Sequence, residues 1–183
     1  MSNARGGGRY QRSALGMVGA MIATLLLVGG FVLLRSIGRD QPEIQPEAVD
    51  YLQSVALAQS TGSEVFYPAT LPEGWVATSV DLQPGDPPAW GMGILTAEGS
   101  FVGLRHERAS REELVERYVD EQVSDEGPVT LPGPVRQAWD HLSDEGGDTA
   151  YAVRVGDREL LVFGSADTEE LKELVALLTQ APL

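Results

Sequence analysis

Cysteine is absent from this 183-residue chain, and lysine nearly so, with Lys172 the sole example. Without a thiol there is no disulfide framework, no thiolate metal ligand and no lipid-modified cysteine to act as an anchor. Histidine occurs twice, at His106 and His141. Neither stands in the His-Glu-x-x-His spacing that puts two ligands on one helix face. No Gly-x-Ser-x-Gly elbow and no phosphate-binding loop occur. Trp90-Gly91-Met92-Gly93 stops short of a dinucleotide fingerprint, since no third glycine or helix follows; these glycines read as places of close approach along a strand. The sequence thus implies no cofactor and no metal.

Positive charge is also scarce beyond the first forty residues. Arg5, Arg9, Arg12, Arg35 and Arg39 all precede the first acid, Asp40, and the remainder carries 8 basic against 27 acidic residues. An acidic surface of this kind excludes a phosphate-binding face for nucleic acid and opposes lying flat on anionic lipid. It reads as a solvated exterior.

One long run has no charge at all. Ala14–Leu34 reads ALGMVGAMIATLLLVGGFVLL, and as a helix it would extend about 31 Å, the thickness of a bilayer core. A cleaved signal peptide has a shorter apolar core, about 7–15 residues, ending in small residues. This run ends Leu33-Leu34-Arg35 instead. The expectation is an uncleaved transmembrane helix over residues 13–35 in the plasma membrane. A short tail of residues 1–12 carries Arg5, Arg9 and Arg12 on the cytoplasmic side, leaving the rest extracytoplasmic. Gly16/Ala20 and Gly19/Ala23 give small residues at four-residue spacing, which would let two such helices approach closely as a homodimer.

After the run, residues 36–62 read as a polar linker and a juxtamembrane helix opened by Pro46, with Val49, Leu52, Val55 and Ala56 on one face. Residues 63–183 read as an α+β domain. Strands are expected at Glu64–Tyr67 and Trp75–Leu82, then a hairpin of Trp90–Thr96 and Phe101–Glu107 across Ala97–Ser100. Ser110-x-x-Glu113 is a capping box, placing a helix with Leu114, Val115, Tyr118 and Val119 inward. The order then recurs: a strand at Val135–His141, a second hairpin of Thr149–Val155 and Glu159–Gly164, and a helix capped at Asp167 with Leu171, Leu174, Val175 and Leu178 inward. The reading is an antiparallel sheet with both helices on one face, built as two β-hairpin-helix repeats.

Candidate chemistry is thin. Asp140, Asp144, Glu145 and Asp148 surround a glycine turn without the spacing of a calcium loop, and read as a solvated turn. The three tryptophans, Trp75, Trp90 and Trp139, are the candidates for a ligand or partner surface. The proline-rich loop Gln83–Ala89 before Trp90 is the best placed to carry one, since binding residues favour loops on a scaffold.

Three strings add a resemblance. Arg9-Tyr10-Gln11-Arg12-Ser13, the spacing Pro42-Glu43-x-x-Pro46-Glu47-Ala48-Val49-Asp50-Tyr51, and Leu71-Pro72-x-Gly74-Trp75 resemble a family of actinobacterial single-pass membrane proteins carrying a domain of unknown function. The resemblance supports the topology and brings no catalytic residues. The functional expectation is a membrane-anchored binding or scaffold module of the cell envelope, contacting an envelope protein or ligand. The alternative is an envelope hydrolase using acidic residues with His106 and His141.

Overall fold

Two neighbouring segments decide the layering. Thr149–Val155 (TAYAVRV) and Arg158–Gly164 (RELLVFG) are apolar at odd and even positions alike, and a strand apolar on both faces needs cover on both sides. A computed structural model describes residues 47–183 and shows that cover. The expected transmembrane helix, its arginine flank and its small-residue stripe lie outside the described residues. No helix among the described residues is long and apolar enough to cross a membrane.

The elements run α1 (Tyr51–Ser60), β1 (Tyr67–Pro68), β2 (Val76–Gln83), β3 (Ala89–Leu95), β4 (Phe101–Glu107), α2 (Arg111–Tyr118), β5 (Val123–Thr130), β6 (Ala138–Asp144), β7 (Thr149–Val155), β8 (Arg158–Gly164), α3 (Thr168–Leu177) and β9 (Leu178–Thr179). Seven strands form one antiparallel sheet in the order β2-β3-β4-β8-β7-β6-β5, and β1 pairs separately with β9. The domain is therefore α+β, as the sequence indicated.

The helices do not share a face. Val55 and Ala58 of α1 and Leu171, Leu174 and Val175 of α3 join the core that holds Trp90, Ile94, Leu104, Tyr151, Leu160 and Val162. Leu114 and Val115 of α2 pack on Leu142, Ala150, Ala152, Leu161 and Phe163, which are the opposite parity of the same strands. This corrects the expectation of two helices on one face. It also bears on the repeat. β4 and β8 are antiparallel neighbours, so a two-fold axis relating the two halves would stand perpendicular to the sheet and put both helices on the same side. Strand, hairpin and helix recur in order, but not as a symmetric pair.

Local departures have local causes. The first helix starts at Tyr51 rather than Pro46, because Asp50 is its N-cap, its side chain accepting from the Gln53 N–H at 3.2 Å; Val55 and Ala58 are buried, while Leu52 is 36% exposed. In β2 the register slips between Ala77 and Ser79. The slip puts Ala77, Val80 and Leu82 on one side, opposite Ile94, Met92 and Trp90, so the simple alternation expected from the sequence breaks. β5, with Gly127 and Pro128 in its middle and a bulge between Asp125 and Gly127, carries no strand signal and forms a sheet edge, where proline is tolerated. Gly103 is required by packing: a Cβ there would collide with the Phe163 ring.

The first helix is also held by the far end of the sequence. Gln59 Nε2 donates to Ala181 O at 2.9 Å, the Leu183 N–H donates to Gln59 Oε1 at 3.0 Å, and the Tyr67 hydroxyl donates to Ala181 O at 2.7 Å. At its other end the chain joins the sheet through the Val49 N–H, which donates to Ala77 O at 2.8 Å.

Candidate functional site

The tight turn at Gly156-Asp157, with Gly156 at φ +63°, delivers Arg158 as the first residue of β8. Arg158 points to the α1/α3 side, like Leu160 and Val162 two and four residues on. There its guanidinium lies beneath two incoming segments, the Thr61–Glu64 link after α1 and the Pro84–Pro88 loop between β2 and β3. Nη2 donates to Glu64 O at 2.7 Å, and Nη1 reaches Pro88 O only at 3.5 Å. Arg158 is 7% exposed. No carboxylate among the described residues forms an ion pair with it. Burial draws its pKa below the usual arginine value, with Asp157 and Glu64 opposing the shift and Arg108 adding to it.

These segments enclose an open pocket of about 630 Å³, with Ser63, Glu64, Leu82, Pro87, Pro88 and Arg158 in its walls. Arg108 braces one side. Its Nε donates to Asp157 Oδ2 at 2.9 Å, its Nη2 to the same oxygen, and its Nη1 to Asp86 O at 2.8 Å. The Asp157 carboxyl is held below its ordinary range chiefly by that hydrogen bond. Glu64 and Asp86 are exposed at the mouth. The pocket sits at the end of β2 opposite to Ala77, where Val49 joins the sheet.

Beneath Arg158 the site turns apolar. His106 stands opposite Trp90 on β3 and Leu160 on β8. It is 1% exposed, and its ring meets Phe66 edge-on at 5.0 Å. Neither ring nitrogen has a hydrogen-bond partner. Burial first, and Arg158 second, push its pKa down to about 3, so the imidazole is neutral. Trp90 is fully buried and its Nε1 donates to Phe66 O at 2.7 Å. That bond fixes the segment that supplies Glu64.

The residues singled out by sequence are thus redistributed. Trp90 and Trp139 are 0% exposed and Trp75 9%, so the tryptophan surface gives way to three core rings; large amphipathic rings fill a small core before they decorate it. The proline-rich loop does border a pocket, and the buried cation in the wall of that pocket is Arg158. His141 stacks on Tyr151 at 4.9 Å, three strand spacings from His106 in the order β4-β8-β7-β6, or about 14 Å. The two histidines therefore share no site. Asp140 is ion-paired with Arg111 at 2.7 Å, and Asp144 Oδ1 accepts from the Asp148 N–H at 2.7 Å. Among the described residues no group of three His, Asp or Glu side chains is placed to hold a metal. A second depression, at the start of α3, is lined by Glu98, Ser100, Asp167 and Glu170; there Asp167 and Glu170 are engaged in the helix capping box. Arg158 was not legible as a site residue, because a lone arginine after a turn has no sequence signature.

An antiparallel sheet covered on both faces, with a charged pocket at one end, defines an α+β domain with a candidate binding site. The chain belongs to the DUF4245 family, described as a protein of unknown function, whose model matches residues 9–178. No curated protein matches it. Among solved structures, the complex of Pseudomonas aeruginosa MucA/MucB shows 10% identity and a TM-score of 0.38, over 66% of this chain and 36% of that one. The chain therefore spans about a third of that neighbour's length.

Proposed function

We propose that this protein is a membrane-anchored binding module whose ligand site is the pocket over Arg158. Residues 13–35 form a single anchor in the plasma membrane of an actinobacterial cell. Arg5, Arg9 and Arg12 hold the short tail in the cytoplasm, and the acidic domain faces the envelope. The stripe of Gly16, Gly19, Ala20 and Ala23 supports pairing of two anchors. The observation that carries the binding reading is Arg158: a buried arginine at the base of an open pocket, held by carbonyl oxygens and forming no ion pair among the described residues. Buried charges are ordinarily paired, so an unpaired one lining a pocket is a recognition group. The separation of His106 from His141 takes away the histidine pair on which the hydrolase alternative drew, and this weighs toward the binding reading.

Two measurements test this. A tag placed after Leu183 should be cleaved by protease added to intact spheroplasts; protection of that tag would refute the orientation. A photo-crosslinking residue at Pro87 should give an adduct in living cells that is lost on Arg158→Gln and is absent when the crosslinker sits at Glu145. An adduct indifferent to Arg158, or none, would refute the pocket.

A further inference from the structure

We infer that the pocket takes a short peptide-like ligand bearing both a free carboxylate and an amino group, the carboxylate against Arg158 and the amine at the mouth between Glu64 and Asp86. This rests on the binding reading above and names the ligand class of the same site.

The arginines of the described residues provide the comparison. Arg105, Arg108, Arg111, Arg117 and Arg154 each face a carboxylate, although their side chains are between 22% and 56% exposed. Arg136 is exposed. Arg158, at 7%, is the most deeply placed; its hydrogen bonds go to carbonyls, and the Asp157 and Glu64 carboxylates act on it only from beyond ion-pair distance. Its planar fork has five N–H donors, and the described residues offer two acceptors, one of them at 3.5 Å. That distance lies beyond the ordinary N–H···O range of about 2.7–3.2 Å. A carboxylate matches the fork with two parallel hydrogen bonds.

The mouth selects among anions. Asp157 is neutralised by Arg108, while Glu64 and Asp86 form no ion pair among the described residues. One positive charge at the floor and two negative charges at the rim repel a phosphate or any compact polyanion. They suit a ligand whose signs are separated along its length in the reverse order. The volume of about 630 Å³ falls in the range of small-ligand sites, about 300–1,000 Å³. Leu82, Pro87 and Pro88 give an apolar wall for the short side chains between the two charged ends.

The test is calorimetric titration of the full chain in detergent micelles with four probes: the tripeptide Lys-Ala-Ala, its C-terminal amide, N-acetylated Ala-Ala-Ala and inorganic phosphate. The free acid of Lys-Ala-Ala should bind, and amidation should weaken it by at least about tenfold, since it leaves a buried cation unmatched. Acetylated Ala-Ala-Ala should bind more weakly than Lys-Ala-Ala, and phosphate not at all. Arg158→Gln should abolish binding. In case that substitution unfolds the domain, the double substitution Glu64→Gln with Asp86→Asn, confined to exposed positions, should erase the preference for Lys-Ala-Ala over acetylated Ala-Ala-Ala. Equal binding of acid and amide, tighter binding of phosphate, an unchanged preference in the rim variant, or no heat from any probe would each overturn the inference. If the probes fail while the crosslinker at Pro87 still gives an Arg158-dependent adduct, the ligand class is wrong and the site stands. If both fail, so does the binding reading.

Discussion

Replacing His106 with leucine should flatten the dependence of stability on pH between about pH 8 and about pH 5. The imidazole is buried, has no hydrogen-bond partner and lies beside Arg158. Its folded pKa of about 3 is far below the value of about 6.5 in an unfolded chain. A depressed folded pKa means that the neutral ring's contribution is whole above the unfolded value. It drains away as pH falls from there toward about 3. At about pH 5 the unfolded state has gained about 1.5 pH units of protonation that the folded state has not, or about 2 kcal/mol. The folded value lies well below this window, so the folded imidazole stays neutral throughout it. Leucine keeps an apolar contact with Phe66 and leaves no unpartnered nitrogen, so the variant should also hold its stability near neutrality. Urea unfolding of both proteins, followed by tryptophan fluorescence at several pH values, reads the difference directly. Carboxylates such as Glu159 and Asp148, both pushed up by burial, titrate in both proteins and cancel in the comparison. Parallel stability curves for the two proteins would show that His106 is solvated or partnered in solution, and the reasoning would fail.

Three further outcomes follow from the packing. Leu114→Ala, in the helix on the second face, should cost about 2–5 kcal/mol, read as a fall in thermal midpoint; an unaltered midpoint would mean that α2 does not cover the sheet. Gly103→Val should destabilise by about 1–3 kcal/mol through collision with Phe163, and Gly103→Val combined with Phe163→Ala should cost less than the two changes added separately; strict additivity in urea unfolding would argue against the contact. Asp167→Ala should cost about 1 kcal/mol, because it removes the acceptor for the Glu169 and Glu170 N–H groups, each at 2.9 Å, from the start of α3; a midpoint unchanged in the same assay would deny that cap a role.

What could be read from the sequence was what is local. The capping boxes at Ser110 and Asp167 and the hairpins turned at Gly99 and Gly156 are written in short strings, and each is found where the string stands. The facing of the helices is written too, in the unbroken apolar pattern of β7 and β8, whereas a capping box marks where a helix starts and not which sheet face it covers. β5 was hidden because an edge strand need not alternate. The pocket was half legible. The proline-rich loop pointed to its location, whereas Arg158 acquires meaning only when segments 94 and 70 residues distant, at Glu64 and Pro88, fold over it.

The short pairing of β1 with β9 has a consequence for biosynthesis. Tyr67 and Pro68 meet Thr179 and Leu178, and Gln59 closes on Ala181 and Leu183. The stretch that leaves the ribosome early therefore waits for the stretch that leaves late, with β8, the strand paired to β4, also made in the final third. A nascent chain halted anywhere before residue 178 leaves its opening helix without that clasp, and the domain can finish assembling only once synthesis has passed that residue.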